Sequence, residues 1–372
     1  MRRTGQDERL GGRAGGRRPA RASAALRGIA GVVAVSVVGC LPEGAPPWLV
    51  DHAIVASVRF DVAVRGPYAP ESPRDDRLVA SLMPGDRLRA TPFLVGPAGP
   101  IDAGAVRPAW FYCRATRCFG DVTQGARPRA CEIEGVGSTT TCALGQAAAP
   151  ELELGALQSL VDLYADPPAL MMVAGAGATD TASCVDRLRR LQDDGETVQA
   201  CIVIIEPLPL GPLWRLMLVA AATGLPDALP LNGISPEVQA AQPALYPAVL
   251  PFELTITGVD GQPRELIAAD GASVAVARGE QVEIVAPVDV FDIQLFYQAL
   301  LGNGSEVLFQ ATFESFSSSW LFTADVAPDD TMALQQVDFV VPEDAPATIY
   351  GYYLLGDGRS QVWAWLRFEV AE

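Results

Sequence analysis

The sequence contains no lysine; all 27 basic residues are arginine, set against 44 Asp and Glu, and a single histidine, His52, stands next to Asp51. An all-arginine complement rich in Ala, Gly and Pro reads as the codon bias of a GC-rich genome. The acidic balance excludes nucleic acid as a partner, because that needs basic patches to neutralise phosphates. One histidine leaves little room for imidazole chemistry. A Ser-His-Asp hydrolase would have to use His52, and no G-x-S-x-G elbow is present. With no C-x-x-C and no histidine near the cysteines, a zinc site is not expected. "AGAGATD" (174–180) lacks the Gly-Lys-Ser/Thr ending of a phosphate loop, and no D-x-[DN]-x-[DN]-G calcium loop occurs. Neither a cofactor nor a metal is expected, and no catalytic residue is legible.

Long apolar runs are scarce too. "GIAGVVAVSVVG" has 12 uncharged residues, Gly28 to Gly39. As a helix it would reach about 18 Å, short of a roughly 30 Å hydrocarbon core. Before it lie eight Arg and only Asp7 and Glu8 as acids, the layout of a secretory signal. The run stops at Val37-Val38-Gly39-Cys40, which resembles a bacterial lipobox. That resemblance implies cleavage before Cys40 and acyl chains on it, more than one of which would anchor the chain stably. "LPEGAPP" (41–47) then reads as a short tether stiffened by proline. Leu41 is not an Asp-type inner-membrane retention signal, so the expected address is the cell envelope, at the outer membrane. Without residues 1–39 the chain keeps 19 basic and 42 acidic residues, a net charge near −23.

The chain has seven cysteines, an odd number for an exported protein. Assigning Cys40 to lipid leaves Cys113, Cys118, Cys131, Cys142, Cys184 and Cys201. An even set predicts disulfides. Six cysteines allow 15 pairings; proximity in sequence favours Cys184 with Cys201 and two bridges among the first four.

The expected fold is mainly β: two Ig-like β-sandwiches joined by a short helix and a Pro-rich connector. Residues 48–208 read as a disulfide-braced β domain with a helical insertion. Strands are expected at 53–64, 88–96, 107–114 and 199–210, and a helix at 181–196 capped by Thr181 or Ser183. Residues 151–180 mix helical and Ala/Gly character. Residues 209–245 read as a helix from Pro212 to Gly224, then the connector. Residues 246–372 alternate apolar and polar with frequent Asp-Gly turns, as in an Ig-like sandwich.

The closing hairpin is expected to turn at Asp357-Gly358 in a two-residue loop. This puts Tyr352 opposite Trp363 and Tyr350 opposite Trp365. Ile349, Leu366, Phe368 and Val370 fall on the core face, because side chains alternate. Tyr350, Tyr352, Trp363 and Trp365 share the outward face. Cross-strand stabilisation, domain packing or a covering loop would explain four aromatics there; so would a binding face for an envelope protein or a glycan.

"SWLFTADV" (319–326) and "QQVDFVVPEDAPATIYGYYLLGDGRSQVWAWLRFEV" (335–370) are similar to the ending of predicted lipoproteins of myxobacterial type. "PGDRLRATPFLVGPAG" (84–99) and "AWFYC" (109–113) look like their opening domain. The resemblance implies a surface-attached protein with Ig-like β domains, and it carries over no functional residue. The expected function is therefore that of a lipid-anchored binding or assembly module. The alternative is an envelope hydrolase using paired carboxylates, which need no motif.

Overall fold

The computed structural model describes residues 46–69, 81–124, 127–131, 141–155, 166–177, 179–194, 201–225, 236, 246–287, 295–301, 307–313, 316–326, 335–356 and 361–371. The expectations about the signal, Cys40 and its tether up to Ala45, the connector at 226–235 and 237–245, and the tip Asp357-Gly358-Arg359-Ser360 lie outside them.

The fold is mostly β, with four sheets arranged as sandwiches. In the first sandwich one sheet contains β1 (Ile54–Val64), β2 (Arg87–Gly96) and β3 (Gly99–Ile101), with β7 (Glu151–Glu153) also paired to β2. Facing it is a five-stranded sheet. Its order is β5 (Arg129–Ala130), β6 (Cys142–Gln146), β4 (Ala109–Arg114), β8 (Pro168–Gly175), β9 (Cys201–Pro207). Val58, Phe60, Leu88 and Leu94 from the first sheet meet Trp110, Tyr112, Leu170, Met172 and Ile204 from the second.

Every residue of β4 and β8 is buried. The reason is a third layer. Among the helices α1 (Ala103–Val106), α2 (Cys118–Thr123), α3 (Thr181–Asp194) and α4 (Leu213–Thr223), α2 and α3 cover the far side of the five-stranded sheet. Cys118, Val122, Cys184 and Leu188 pack there on Phe111, Met171 and Val173. A strand buried on both faces loses its alternation. That is why "PALMMVAG" reads ambiguously as sequence yet forms a central strand.

The disulfides are Cys113–Cys118, Cys131–Cys142 and Cys184–Cys201; the last is the pairing expected, and the other two settle which partners the first four cysteines take. Two of them staple α2 to β4 and α3 to β9. The 17-residue separation of Cys184 and Cys201 corresponds to about 3 kcal/mol in the chain-entropy account. Alkylation of the unreduced, denatured protein followed by mass spectrometry should find no free thiol among these six; two or more alkylated cysteines would refute the bridges.

Local signals hold with one correction. The cap of α3 is Asp180, whose carboxylate accepts the backbone N–H of Ser183 and its hydroxyl; these bonds lower its pKa. Thr181 instead donates to the Val106 carbonyl. α4 begins after Pro212 and ends at Gly224 in the left-handed region, as expected. It buries Leu216, Met217, Val219 and Ala220.

The second sandwich opposes the sheet β11 (Pro263–Ala268), β10 (Phe252–Thr257), β13 (Gln281–Val285), β17 (Gln336–Val340) to the sheet β12 (Ser273–Ala277), β19 (Gln361–Ala371), β18 (Thr348–Gly356), β16 (Ser317–Phe322). A further antiparallel pair, β14 (Leu295–Leu301) with β15 (Val307–Phe313), forms its own two-stranded sheet. The core holds Phe252, Trp320, Phe322, Phe339, Tyr353 and Phe368, linked ring to ring. Ile349, Leu366, Phe368 and Val370 lie in it as the alternation requires.

The hairpin register differs from the expectation. Tyr352 pairs with Trp365, Leu354 with Trp363, and the last pair is Gly356 with Gln361. Four residues therefore connect the strands rather than two. The shift is an even number of residues, so the face of each side chain is unchanged.

Candidate functional site

The outward aromatic face does not meet solvent as an open platform; it is the seam between the sandwiches. Tyr352 is fully buried, and Tyr350, Trp363 and Trp365 are half-buried. With Leu354 they pack on Val50, Ile54, Phe93 and Val95, at the outer face of the β1–β2 sheet. Phe93 stacks on Trp363 at 5.0 Å between centroids and meets Tyr352 edge-on at 5.7 Å. The Arg59 guanidinium sits 5.4 Å over the Trp363 ring. Four sheets and a helical layer are thus stacked in series. Of the readings open for these aromatics, domain packing is the one realised, and the ligand-platform reading is corrected. The ligand of this face is the protein's own first sandwich.

Hydrogen bonds pin the seam along its rim. The Ser57 hydroxyl donates to Gln361 Oε1 at 2.7 Å. The Tyr246 phenol, part of the second core, receives the Phe60 N–H at 2.8 Å and donates to the Phe60 carbonyl at 2.6 Å. Trp48 and Val50 bracket Phe322 on the edge strand β16 with two backbone bonds, at 2.8 and 2.7 Å. Gly99 has φ +118°, and a Cβ there would lie 2.7 Å from the Tyr350 ring. Only glycine permits both that turn and that approach.

A cleft opens on the opposite side of the first sandwich, with a volume of about 340 Å³. It runs between α3 and the β4–β6 pair, where a bulge separates Trp110 from Phe111. Ala182, Val185, Asp186 and Arg189 lie on one stripe of α3, at the i, i+3, i+4, i+7 spacing of a helical face. The neighbouring stripe, Thr181, Cys184 and Leu188, is buried against the sheet. Ala109, Ala143 and Gly145 form the strand wall; Arg127 and Pro128 close the rim. Arg127 pairs with Asp186 at 3.3 Å. The Arg189 Nε is buried and has no hydrogen-bond partner. The stripe on "TASCVDRLRRLQDD" is legible in sequence as amphipathic, but the strand wall facing it is not, so Arg127, Asp186 and Arg189 escaped the sequence reading.

Buried carboxylates lie elsewhere. Asp86 accepts the backbone N–H groups of Gly66 at 2.6 Å and Met83 at 2.8 Å, organising the turn before β2; burial nevertheless raises its pKa. Glu206 shares a face of β9 with Ile202 and Ile204, toward the first core. Burial alone pushes its pKa up to about 7. Neither lines the cleft. His52 is exposed and bonds Asp51. Among the described residues, no group of three or more His, Cys, Asp or Glu is placed to hold a metal. Nor is any described helix long and apolar enough to cross a membrane.

No family model matches the chain, and no curated protein matches it. Among solved structures it is similar to a nucleoside hydrolase-related hypothetical protein from Saccharophagus degradans that is associated with carbohydrate metabolism. That likeness has 11% identity over 52% of this chain and 39% of the other, with a TM-score of 0.22. It is also similar to dimeric latent PorU from Porphyromonas gingivalis, at 10% identity over 87% of this chain and 24% of that one, with a TM-score of 0.16. The chain spans less than half the length of either, and similarity at that level carries no argument about fold or function.

Proposed function

We propose that the chain is a lipid-anchored cell-envelope protein whose stacked sandwiches, of Ig-like type, form one binding or assembly module. The proposal includes the outer membrane as its site and the myxobacterial-type lipoproteins as its kin. The observation that carries it is the cysteine pairing. Six cysteines bridge one another, which suits an oxidising compartment and leaves none for Cys40. Cys40 follows directly on the short apolar run. The tether 41–47 has seven residues and can reach at most about 25 Å. Trp48 is already fastened to the edge of the second sandwich, so the module would sit close to the lipid surface.

Feeding cells a palmitate analogue should label the protein, and Cys40→Ala should abolish the label. Undiminished label on the variant would overturn the anchor. The hydrolase reading requires two carboxylates facing each other across a cleft. Among the described residues the cleft beside α3 holds one, Asp186, engaged with Arg127. No observation favours that reading.

A further inference from the structure

We propose that the cleft between α3 and the β4–β6 pair binds a small organic monocarboxylate, held by the Arg189 guanidinium. The inference deepens the binding-module reading by naming a ligand class. It does not depend on lipidation at Cys40.

Arg189 carries an unmet donor. Its Nε is buried without a hydrogen-bond partner, and its guanidinium makes no ion pair among the described residues. The side chain as a whole is half-buried, and a guanidinium offers its N–H donors in a fixed plane. An unpaired donor of that kind costs free energy unless something occupies it. The obvious intramolecular partner, Asp186, lies one turn away on the same stripe but is paired with Arg127. The arrangement leaves the planar fork of Arg189 for an outside acceptor, and a carboxylate matches that fork with two parallel hydrogen bonds.

The cleft carries Arg127, Arg189 and Asp186, one net positive charge, on a chain whose formal net charge is −17. One positive charge balances a monoanion. A dianion such as phosphate would leave an excess negative charge next to Asp186.

About 340 Å³ is at the small end of ligand sites. Apart from the three charged groups and Gln146, the walls are mainly apolar: Ala109, Phe111, Pro128, Ala143, Ala182 and Val185. Gly145 adds bare backbone in a left-handed conformation, with open space where a Cβ would stand. The ligand is therefore a carboxylate on a compact body, the size of an acylated amino acid or a uronic acid.

Isothermal titration of the purified full chain, disulfides intact, tests this with four probes. They are N-acetylalanine, its neutral amide, glucuronate and inorganic phosphate. At least one of the two carboxylates should bind at millimolar or lower concentration, and which one does so separates a peptide-type from a sugar-acid source. The amide should not bind, and phosphate should bind more weakly than the carboxylate. Arg189→Gln should weaken carboxylate binding at least tenfold, and Arg189→Lys, which keeps the charge but not the fork, should lose most of it. An unchanged melting temperature and an unchanged absence of free thiols would show that the variants are folded; whichever of the two folds decides the matter. Failure of both carboxylates to bind up to about 10 mM, a range that still reports interactions of a few kcal/mol, would overturn the proposal. So would equal binding by the amide, tighter binding by phosphate, or full affinity in a folded Arg189 variant. Loss of palmitate label in Cys40→Ala reads a different residue, so the anchor and the cleft stand or fall separately.

Discussion

Tyr352→Ala is expected to destabilise the protein by about 3–5 kcal/mol, the range for removing a large buried ring. Thermal unfolding should show a clear drop in melting temperature. Tyr352 lies at the centre of the seam, fully buried, with Phe93 edge-on and Tyr350 stacked beside it. Trimming the ring opens a void between two sheets, each already committed on its other face to its own core. Neither sheet can collapse into the gap without disturbing that core. The partly buried pair Trp363 and Trp365 should behave in the same direction. Their double replacement by serine should lower the melting temperature strongly, because Phe93 would lose its stacked partner. An open aromatic platform would tolerate the change with little loss, so a melting temperature within a degree or two of the parent would sink the seam.

The phenol of Tyr352 sharpens the test. Its hydroxyl is buried and has no hydrogen-bond partner; burial, with Tyr350 adjacent, pushes its pKa upward. A buried hydroxyl without a partner costs about 1–3 kcal/mol. Tyr352→Phe should therefore be neutral or stabilising, opposite in sign to Tyr352→Ala. A large loss in the phenylalanine variant would mean that the hydroxyl, rather than the ring, holds the seam.

The second large effect is a pH dependence at Glu206. Burial raises its pKa from 4.5 to about 7 in the folded protein. The folded state then binds the proton more tightly than the unfolded chain does. The stability linked to this proton is fully present below pH 4.5 and is lost as pH rises through about 7. At about 1.4 kcal/mol per pKa unit the loss approaches roughly 3 kcal/mol by pH 8. Most carboxylates act in the other direction, so the contribution has to be read as a difference. Glu206→Gln keeps the shape and removes the titration. The parent should lose stability relative to this variant between pH 4.5 and 8, as measured by denaturant unfolding at each pH. Parallel stability curves for the two proteins would show that Glu206 is solvated in the folded state.

Much of the architecture was legible in the sequence because the relevant forces act locally. Alternation placed β10, β12 and β13. Proline and glycine bounded α4 on both sides. Cysteines 5, 11 and 17 residues apart found their neighbours, since short loops cost least to close. The two-residue period put Ile349, Leu366, Phe368 and Val370 on the core face even though the turn was longer than expected. An even slip preserves faces, which is why a wrong register still yielded the right core.

What stayed illegible depends on contacts between distant segments. β8 lost its alternation because the helices Cys118–Thr123 and Thr181–Asp194 cover its second face, and periodicity in a window cannot see a covering layer. Asp180 took the cap of α3 because Thr181 was already bonded to Val106, 75 residues earlier. The aromatic face of the last hairpin announced that something covers it, through composition alone. Its cover, the β1–β2 sheet, lies more than 250 residues away in the chain. The sequence by itself determined a β-rich chain with an even set of six cysteines and an apolar run ending at Cys40. Only the tertiary structure decided that the aromatic face is a seam and that Arg189 lines a cleft. Periodicity reports which side of a strand or helix is apolar or charged, but what lies opposite is settled by the packing of layers from remote parts of the chain.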